Sequence, residues 1–222
     1  MQYPFSCVPA VHSDIQSTLS PARLARYLPA AGGDRHLALR LYIWNARLCE
    51  SLYLPMQFAE VAARNAIQKP VVGRFHSRWY ENPRFINLLP ARMKDELIDT
   101  KRREQKKHAA MLSQDHIVAG LSLGFWVSLM TAAYDKQLWA QGVKAAFPHA
   151  DPRESGESIR ARLDSMRRFR NDIAHHVAIF DRSPQKEIQN VVHITGLVCE
   201  NTCWPSKQLS RLQNVINDRP RL

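Results

Sequence analysis

The sequence predicts an all-α fold, and three observations carry that prediction. Apolar residues recur at three and four residues over long stretches, proline and glycine are spaced to punctuate helices, and strand-like alternation is nowhere sustained. The composition is that of a packed domain: 45% hydrophobic and 23% charged over 222 residues, with 8 Gly. That length is enough to bury a core without disulfide staples.

Taken in order, Ser20-Pro21 reads as an N-cap and first helical position for a short helix, PARLARYLPA, ending before Gly32-Gly33. Residues 1–33 are therefore expected to be an N-terminal extension with one short helix. Asp34 caps the next run, whose Leu37, Leu41, Trp44, Leu48 and Leu52 form one helical face. Pro55 interrupts it, and Phe58, Val61, Ala62, Asn65 and Ile67 continue it to Pro70 as a second helix or a kinked extension. Further helices are expected over 71–80 and over 91–108. The second, ARMKDELIDTKRREQKKH, is so charged that it reads as an exposed helix or an arm.

The stretch Ile117–Tyr134, IVAGLSLGFWVSLMTAAY, is uncharged over 18 residues, yet its small and hydroxyl residues dilute the apolar character. A helix over 117–130, buried in the centre of a soluble bundle, is expected there rather than a membrane span. A helix over 134–147 follows, then the connector HADPRESGES. Ser155 or Ser158 caps a helix through IRARLDSMRRFRNDIAHH whose buried stripe is Ile159, Leu163, Met166, Phe169 and Ile173. Pro184 opens a helix over 185–203, and Pro205 opens the last, to about 217, leaving 218–222 as a tail. One all-α domain over 34–217 is expected.

Charge narrows the partners. With 31 Lys and Arg against 20 Asp and Glu, the net charge is +11, which favours polyanions such as nucleic acid or anionic membrane surfaces, although a basic surface also serves solubility. Cys7, Cys49, Cys199 and Cys203 are too few and scattered for a disulfide framework, so a reducing cytoplasm is the expected location. Cys199, Cys203 and His193 lack a fourth ligand at zinc-like spacing, and neither a metal nor another cofactor is expected. The N-terminus has no signal-peptide pattern, and no membrane association is expected.

The chemistry-bearing candidate is RNDIAHH, residues 170–176. An arginine followed by histidine at this spacing arises by accident roughly two or three times in a chain so rich in both. Arg103 and His108 repeat the spacing inside the charged helix. Context separates the two pairs, because Arg170, Asn171, His175 and His176 end a helix whose other face is apolar. On that helix Asn171 faces His175 and Asp172 faces His176, one turn on. Asp172 is thus placed to orient or charge His176, and Asn171 to fix the tautomer of His175 or hold substrate. Arg170 is about 140° round from His175, within reach of a shared phosphate through its long side chain. Metal-free RNA cleavage needs a proton acceptor for the 2′-OH, a donor for the leaving oxygen and a cation on the phosphorane. One arginine and one histidine are half of that set, and a two-fold dimer would complete it. A pair of solvated histidines favourably placed on the helix dipole is the competing reading.

ESIRARLDSMRRFRNDIAHH, 157–176, resembles the motif region of the Abi-like proteins. These are a bacterial abortive-infection family within the HEPN ribonuclease superfamily. LYIWNARLCESLYLPMQFAEVAARNAI, 41–67, resembles that family's N-terminal helix pair, with its Trp-Asn start and Arg-Asn-Ala-Ile end. GLSLGFWVSLM, 120–130, resembles its Gly-Phe-Trp segment. The resemblance implies a HEPN-like helical bundle with additional helices, forming a two-fold homodimer. It also implies a metal-independent endoribonuclease of phage defence, or a toxin, with Arg170 and His175 as the catalytic pair. Asn171, His176 and Asp172 are then supporting or substrate-binding residues. Lys101, Arg102, Arg103, Lys106 and Lys107 are candidates for the RNA backbone, with a solvated helix face as the competing reading. An antitoxin or defence partner is also implied, without identity. Val177-Ala178-Ile179 stands where the family often has Glu-Pro-Ile, Val177 also stands where some superfamily toxins carry a control tyrosine, and Asp172 is acidic where basic or neutral residues are common. These departures motivate the rival reading of a catalytically inactive helical module that binds nucleic acid or protein.

Overall fold

A computed structural model describes residues 9–208 and 211–221. Among the described residues every regular element is helical and none is a strand. No helix among them is long and apolar enough to cross a membrane.

The axis of the molecule is one long helix. Two short helices precede it, α1 (Pro9–Leu19) and α2 (Pro21–Ala25), the first of them in addition to the single helix expected there, and a 3-10 turn Pro29–Ala31 leads to α3 (Arg35–Phe75). Asp34 caps α3 by accepting from the backbone N–H groups of His36 and Leu37 at 2.7 and 3.2 Å, and those two donors hold its carboxyl below the usual range. Its 41 residues span about 60 Å.

Two expectations fail along α3. Pro70 does not end it, and at Pro55 the chain takes the second of the two alternatives, an extension and not a new helix: both prolines lie inside the helix, and the helix expected over 71–80 is its last turn plus a 3-10 turn, Trp79–Glu81. Of the stripe expected after Pro55, Ile67 is buried, but Phe58, Val61 and Asn65 are exposed and Ala62 is half-buried. Val61 is 51% exposed, and the buried residues are Met56, Ala59, Ala63, Ala66, Ile67 and Val71. The register of Leu48 and Leu52 runs straight on through Pro55. Alanines carry it where neighbouring helices come close, and burial of the whole face outweighs the lost backbone hydrogen bond.

After α4 (Pro83–Leu88), α5 (Ala91–His108) is a docked helix rather than an arm. It buries Met93, Leu97, Thr100 and Glu104 at helical spacing. The helix expected over 117–130 is broken into α6 (Gln114–Gly120) and α7 (Leu123–Ser128). Ser122 is the reason, its side chain accepting from the Phe125 N–H at 3.1 Å as an N-cap while its own N–H donates to Glu96 at 2.8 Å. Burial of the segment holds nonetheless, for Ile117, Phe125, Trp126 and Leu129 are at most 1% exposed. Over 134–147 only α8 (Asp135–Leu138) and a 3-10 turn Val143–Ala145 form. Gly142 sits between them at φ 79, a conformation no helix contains.

Ser155, the earlier of the two candidates, caps α9 (Gly156–Ala174) by accepting from the Ser158 N–H at 3.1 Å. Ile159, Leu163, Met166 and Phe169 are buried as expected, with Ile173 half-buried. Then come α10 (Pro184–Val198), which ends at an extended Cys199 rather than running to 203, a 3-10 turn Glu200–Cys203, α11 (Trp204–Gln208) and α12 (Leu212–Asn217). The expected last helix is thus at least two pieces, and residues 209–210 within it lie outside the described residues.

Helices α6, α7, α9, α10, α11 and α12 all pack on α3. The ends pack as well. Tyr27 is 2% exposed and stacks on Phe180 at 4.9 Å, Arg219 lies over the Trp44 ring at 5.3 Å, and Pro220 is buried. Residues 1–8 of the expected N-terminal extension, Cys7 among them, lie outside the described residues.

Candidate functional site

The stretch 170–176 spans the end of α9 rather than lying wholly on it. Ala174 is the last helical residue, His175 is the C-cap, and His176 takes the left-handed conformation at φ 57. The His176 N–H donates to the Ile173 carbonyl at 3.1 Å and the Val177 N–H to the Asp172 carbonyl at 2.8 Å. This is the Schellman closure of a helix, with a histidine in the place usually held by glycine. It reverses the chain so that Ala178, Ile179 and Phe180 return to the core, where the Ile179 N–H donates to buried Asn45 Oδ1 at 2.8 Å. His175 and His176 are left exposed at the helix end.

Arg170 leaves α9 toward α3. Its Nε donates to Glu60 Oε2 at 3.1 Å, and Glu60 is also bonded by Arg64. Glu60 and Arg64 side chains are 13% and 14% exposed, so this cluster sits at the bottom of a groove and not on an open surface. Arg64 is fixed further by a 2.9 Å hydrogen bond to the Ala119 carbonyl. The arrangement orients Arg170 through Nε and leaves its two terminal nitrogens without a partner among the described residues. Two guanidiniums against one carboxylate keep the cluster net positive.

The groove between α3 and α9 holds two adjoining cavities. One, about 240 Å³, is lined by Glu60, Arg64 and Arg170 together with Tyr53 and Val61. The other, about 560 Å³, is lined by Tyr42, Asn45, Cys49, Glu50 and His176. Tyr53, Ile173 and Ala174 line both. His176 therefore faces the groove, and His175 lines neither cavity. Burial pushes the Cys49 thiol up to about 11, so it is a neutral thiol at physiological pH and no nucleophile.

The predicted supporting residues divide. Asp172 does not orient His176: its carboxylate pairs with Arg182 at 2.5 Å, and Arg182 in turn lies over the Phe169 ring at 5.8 Å. Glu187 stands next to this pair, with its carboxyl pushed up by burial. Asn171 is half-buried, and its side chain makes no hydrogen bond to His175. Glu60, Arg64 and Tyr53 escaped sequence reasoning. The signal was present in their recurrence on one face of α3, opposite the leucine stripe.

The basic residues of α5 are largely committed elsewhere. Lys101 pairs with Glu81 at 2.7 Å and Arg102 with Asp99 at 2.5 Å. Arg103 and Lys107 both pair with Glu104, at 3.0 and 3.2 Å, and Arg103 also donates to the Gly120 carbonyl at 2.8 Å. These donors hold the Glu104 carboxyl below its usual range. Of the five, Lys106 has no ion pair among the described residues. His108 stacks on His116 with centroids 3.6 Å apart, so the Arg103/His108 pair is part of the α5 docking surface. His193 pairs with Glu154, the Cys203 thiol donates to the Val192 carbonyl, and among the described residues no three His, Cys, Asp or Glu side chains gather as a metal would require.

The three stretches singled out by resemblance meet in one place. α3 packs on α7 and α9, and α7 on α9. A Cβ on Gly124 would lie 3.6 Å from Arg167 Cδ, an ordinary contact between the Gly-Phe-Trp segment and the motif helix. No protein-family model, no curated protein and no solved structure matches the chain.

Proposed function

We propose that the chain is a metal-independent endoribonuclease whose site is composed from two copies, acting in abortive infection or as a toxin. One observation carries the reading: Arg170 is fixed through Nε by Glu60 while its terminal nitrogens stay open, about one and a half turns before two exposed histidines at the end of the same helix. A guanidinium held in this way is oriented before substrate arrives, and orientation in advance is what makes a cation effective on developing phosphorane charge. In the reaction the 2′-oxygen loses its proton and attacks phosphorus, the bond from phosphorus to the 5′-oxygen breaks, and that oxygen takes a proton. Arg170 holds the phosphate, His175 transfers a proton, and Asn171 and His176 position the substrate. A single chain offers one such set, so the second proton-transfer group comes from the other copy. The defence role rests on the resemblance of the three converging stretches.

A binding module without catalysis is the second reading. The observation favouring it is the Glu60 carboxylate itself, which competes with a phosphate for Arg170.

Incubation of purified chain with total RNA and EDTA separates the two. Wild type cuts, and Arg170→Ala and His175→Ala each lose about a hundredfold or more in rate, as loss of a general acid–base group does. His108→Ala, which shares the spacing but not the setting, cuts as wild type does. Intact RNA in every sample, with binding retained, overturns the nuclease reading, and cleavage abolished by EDTA overturns the metal-free mechanism.

A further inference from the structure

The groove that receives Arg170 also holds an aromatic ring with no structural work to do. Tyr53 is 68% exposed, although it stands on the central helix of the fold. Exposing so much of an amphipathic ring forgoes the burial that stabilises Trp44 and Phe75 on the same helix, which are 4% and 6% exposed, and goes well beyond Phe58 at 36%. Tyr53 and Glu60 are seven residues apart, on one face of α3 and about 10 Å apart along its axis. The exposed ring and the open end of Arg170 therefore line one cavity, with the apolar Met56, Val61 and Ile173 between them. Beyond Tyr53 the groove continues to His176.

We infer that this groove is a nucleotide subsite, in which Tyr53 stacks on an unpaired base while Arg170, supported by Arg64 and Glu60, holds the adjoining phosphate. A cation at one end and an open π-face two helical turns away match the two ends of one nucleotide, an anionic phosphate and a planar base. The apolar floor suits a base and offers nothing to a second phosphate. A base inside a duplex has both faces covered by its neighbours, so the subsite selects single strands, loops and ends. Stacking is tolerant of base identity, and because Glu60 is engaged by Arg64 and Arg170, and Arg170 is assigned to the phosphate, Gln57 is the lining side chain left to meet a base edge. The substrate class is thus unpaired RNA with weak sequence preference. This deepens the ribonuclease reading and rests on Arg170 as its phosphate ligand, but it predicts binding as well as cleavage.

The test uses the full chain and a short 2′-O-methyl oligoribonucleotide carrying 2-aminopurine, which binds but lacks the 2′-OH that cleavage needs. Stacking quenches 2-aminopurine emission, and titration gives Kd. Wild type quenches and binds. Tyr53→Ala loses the quench and weakens Kd about tenfold, while Tyr53→Phe and Tyr53→Trp retain both, and the same sequence in a duplex competes at least tenfold less well. Because Tyr53 is mostly exposed, the variants fold, which circular dichroism verifies. Equal quench and Kd in wild type and Tyr53→Ala overturn the subsite. So does failure of wild type to bind the oligonucleotide while Tyr53→Ala changes the mass of the chain in solution, which assigns the exposed ring to contact with a second copy. Cleavage of unmodified RNA is scored separately: tyrosine-dependent quench without any cleavage leaves the subsite standing and removes only the nuclease reading.

Discussion

His176 carries a backbone conformation that its side chain does not favour. A left-handed non-glycine residue is strained by roughly 1 kcal/mol, and histidine tolerates it better than a branched residue but worse than glycine. Its side chain is exposed at the groove, so nothing in the core holds the histidine there. His176→Gly is accordingly expected to raise stability by about 0.5–1 kcal/mol, read as a higher urea midpoint at unchanged slope. A lower midpoint would mean that the imidazole makes a stabilising contact that outweighs the strain. The nuclease assay on the same variant shows whether the strained conformation also serves cleavage. At this scale the sequence located Arg170, Asn171, Asp172, His175 and His176 on one helix end. It misjudged Asp172, because a helical wheel knows only its own helix and Arg182 comes from the segment that follows.

The docking of α5 on α6 shows how an element is decided by what lies beneath it. Gly120 is where the two approach most closely: an added Cβ would stand 2.8 Å from Thr100 Cγ2 and 3.2 Å from both Arg103 Nη2 and Glu104 Oε1. Gly120→Ala forces these apart and disturbs the buried Glu104 cluster, so a loss of about 1–3 kcal/mol is expected in chemical denaturation. Wild-type stability in that variant would show that α5 shifts freely and is an arm after all. Elements were legible where punctuation was local and decisive, as at Asp34, Ser155 and Pro184. They were left open at Pro55 and misread at Pro70, where a long buried face overrides a helix breaker, and misread at Ser122 and Gly142, where a cap and a left-handed residue break an expected helix.

At the scale of the molecule, the net charge of +11 is distributed differently from its sum. Much of the positive charge of α5 is spent within the fold, and the groove between α3 and α9 keeps a smaller, oriented share. The proposed composite site requires a second copy. The purified chain at micromolar concentration is therefore expected to show twice the 25.5 kDa of one chain by light scattering. A strictly monomeric mass together with cleavage would overturn the composite site.

What the sequence determined by itself was the helical class, the capped starts of most of the longer helices and the position of RNDIAHH at a helix end, because periodicity, caps and turns are properties of neighbours along the chain. Only the tertiary structure decided that Glu60 and Arg64 stand beside Arg170, that Arg182 takes Asp172, that Lys101 pairs with Glu81, and that Tyr53 stays exposed beside the motif. The ion pairs among these join residues 10 to 110 positions apart in sequence, and the longest of them, Arg170 with Glu60, is set by how α3 and α9 cross. No local pattern encodes that crossing, because it is fixed by the joint burial of many apolar faces at once.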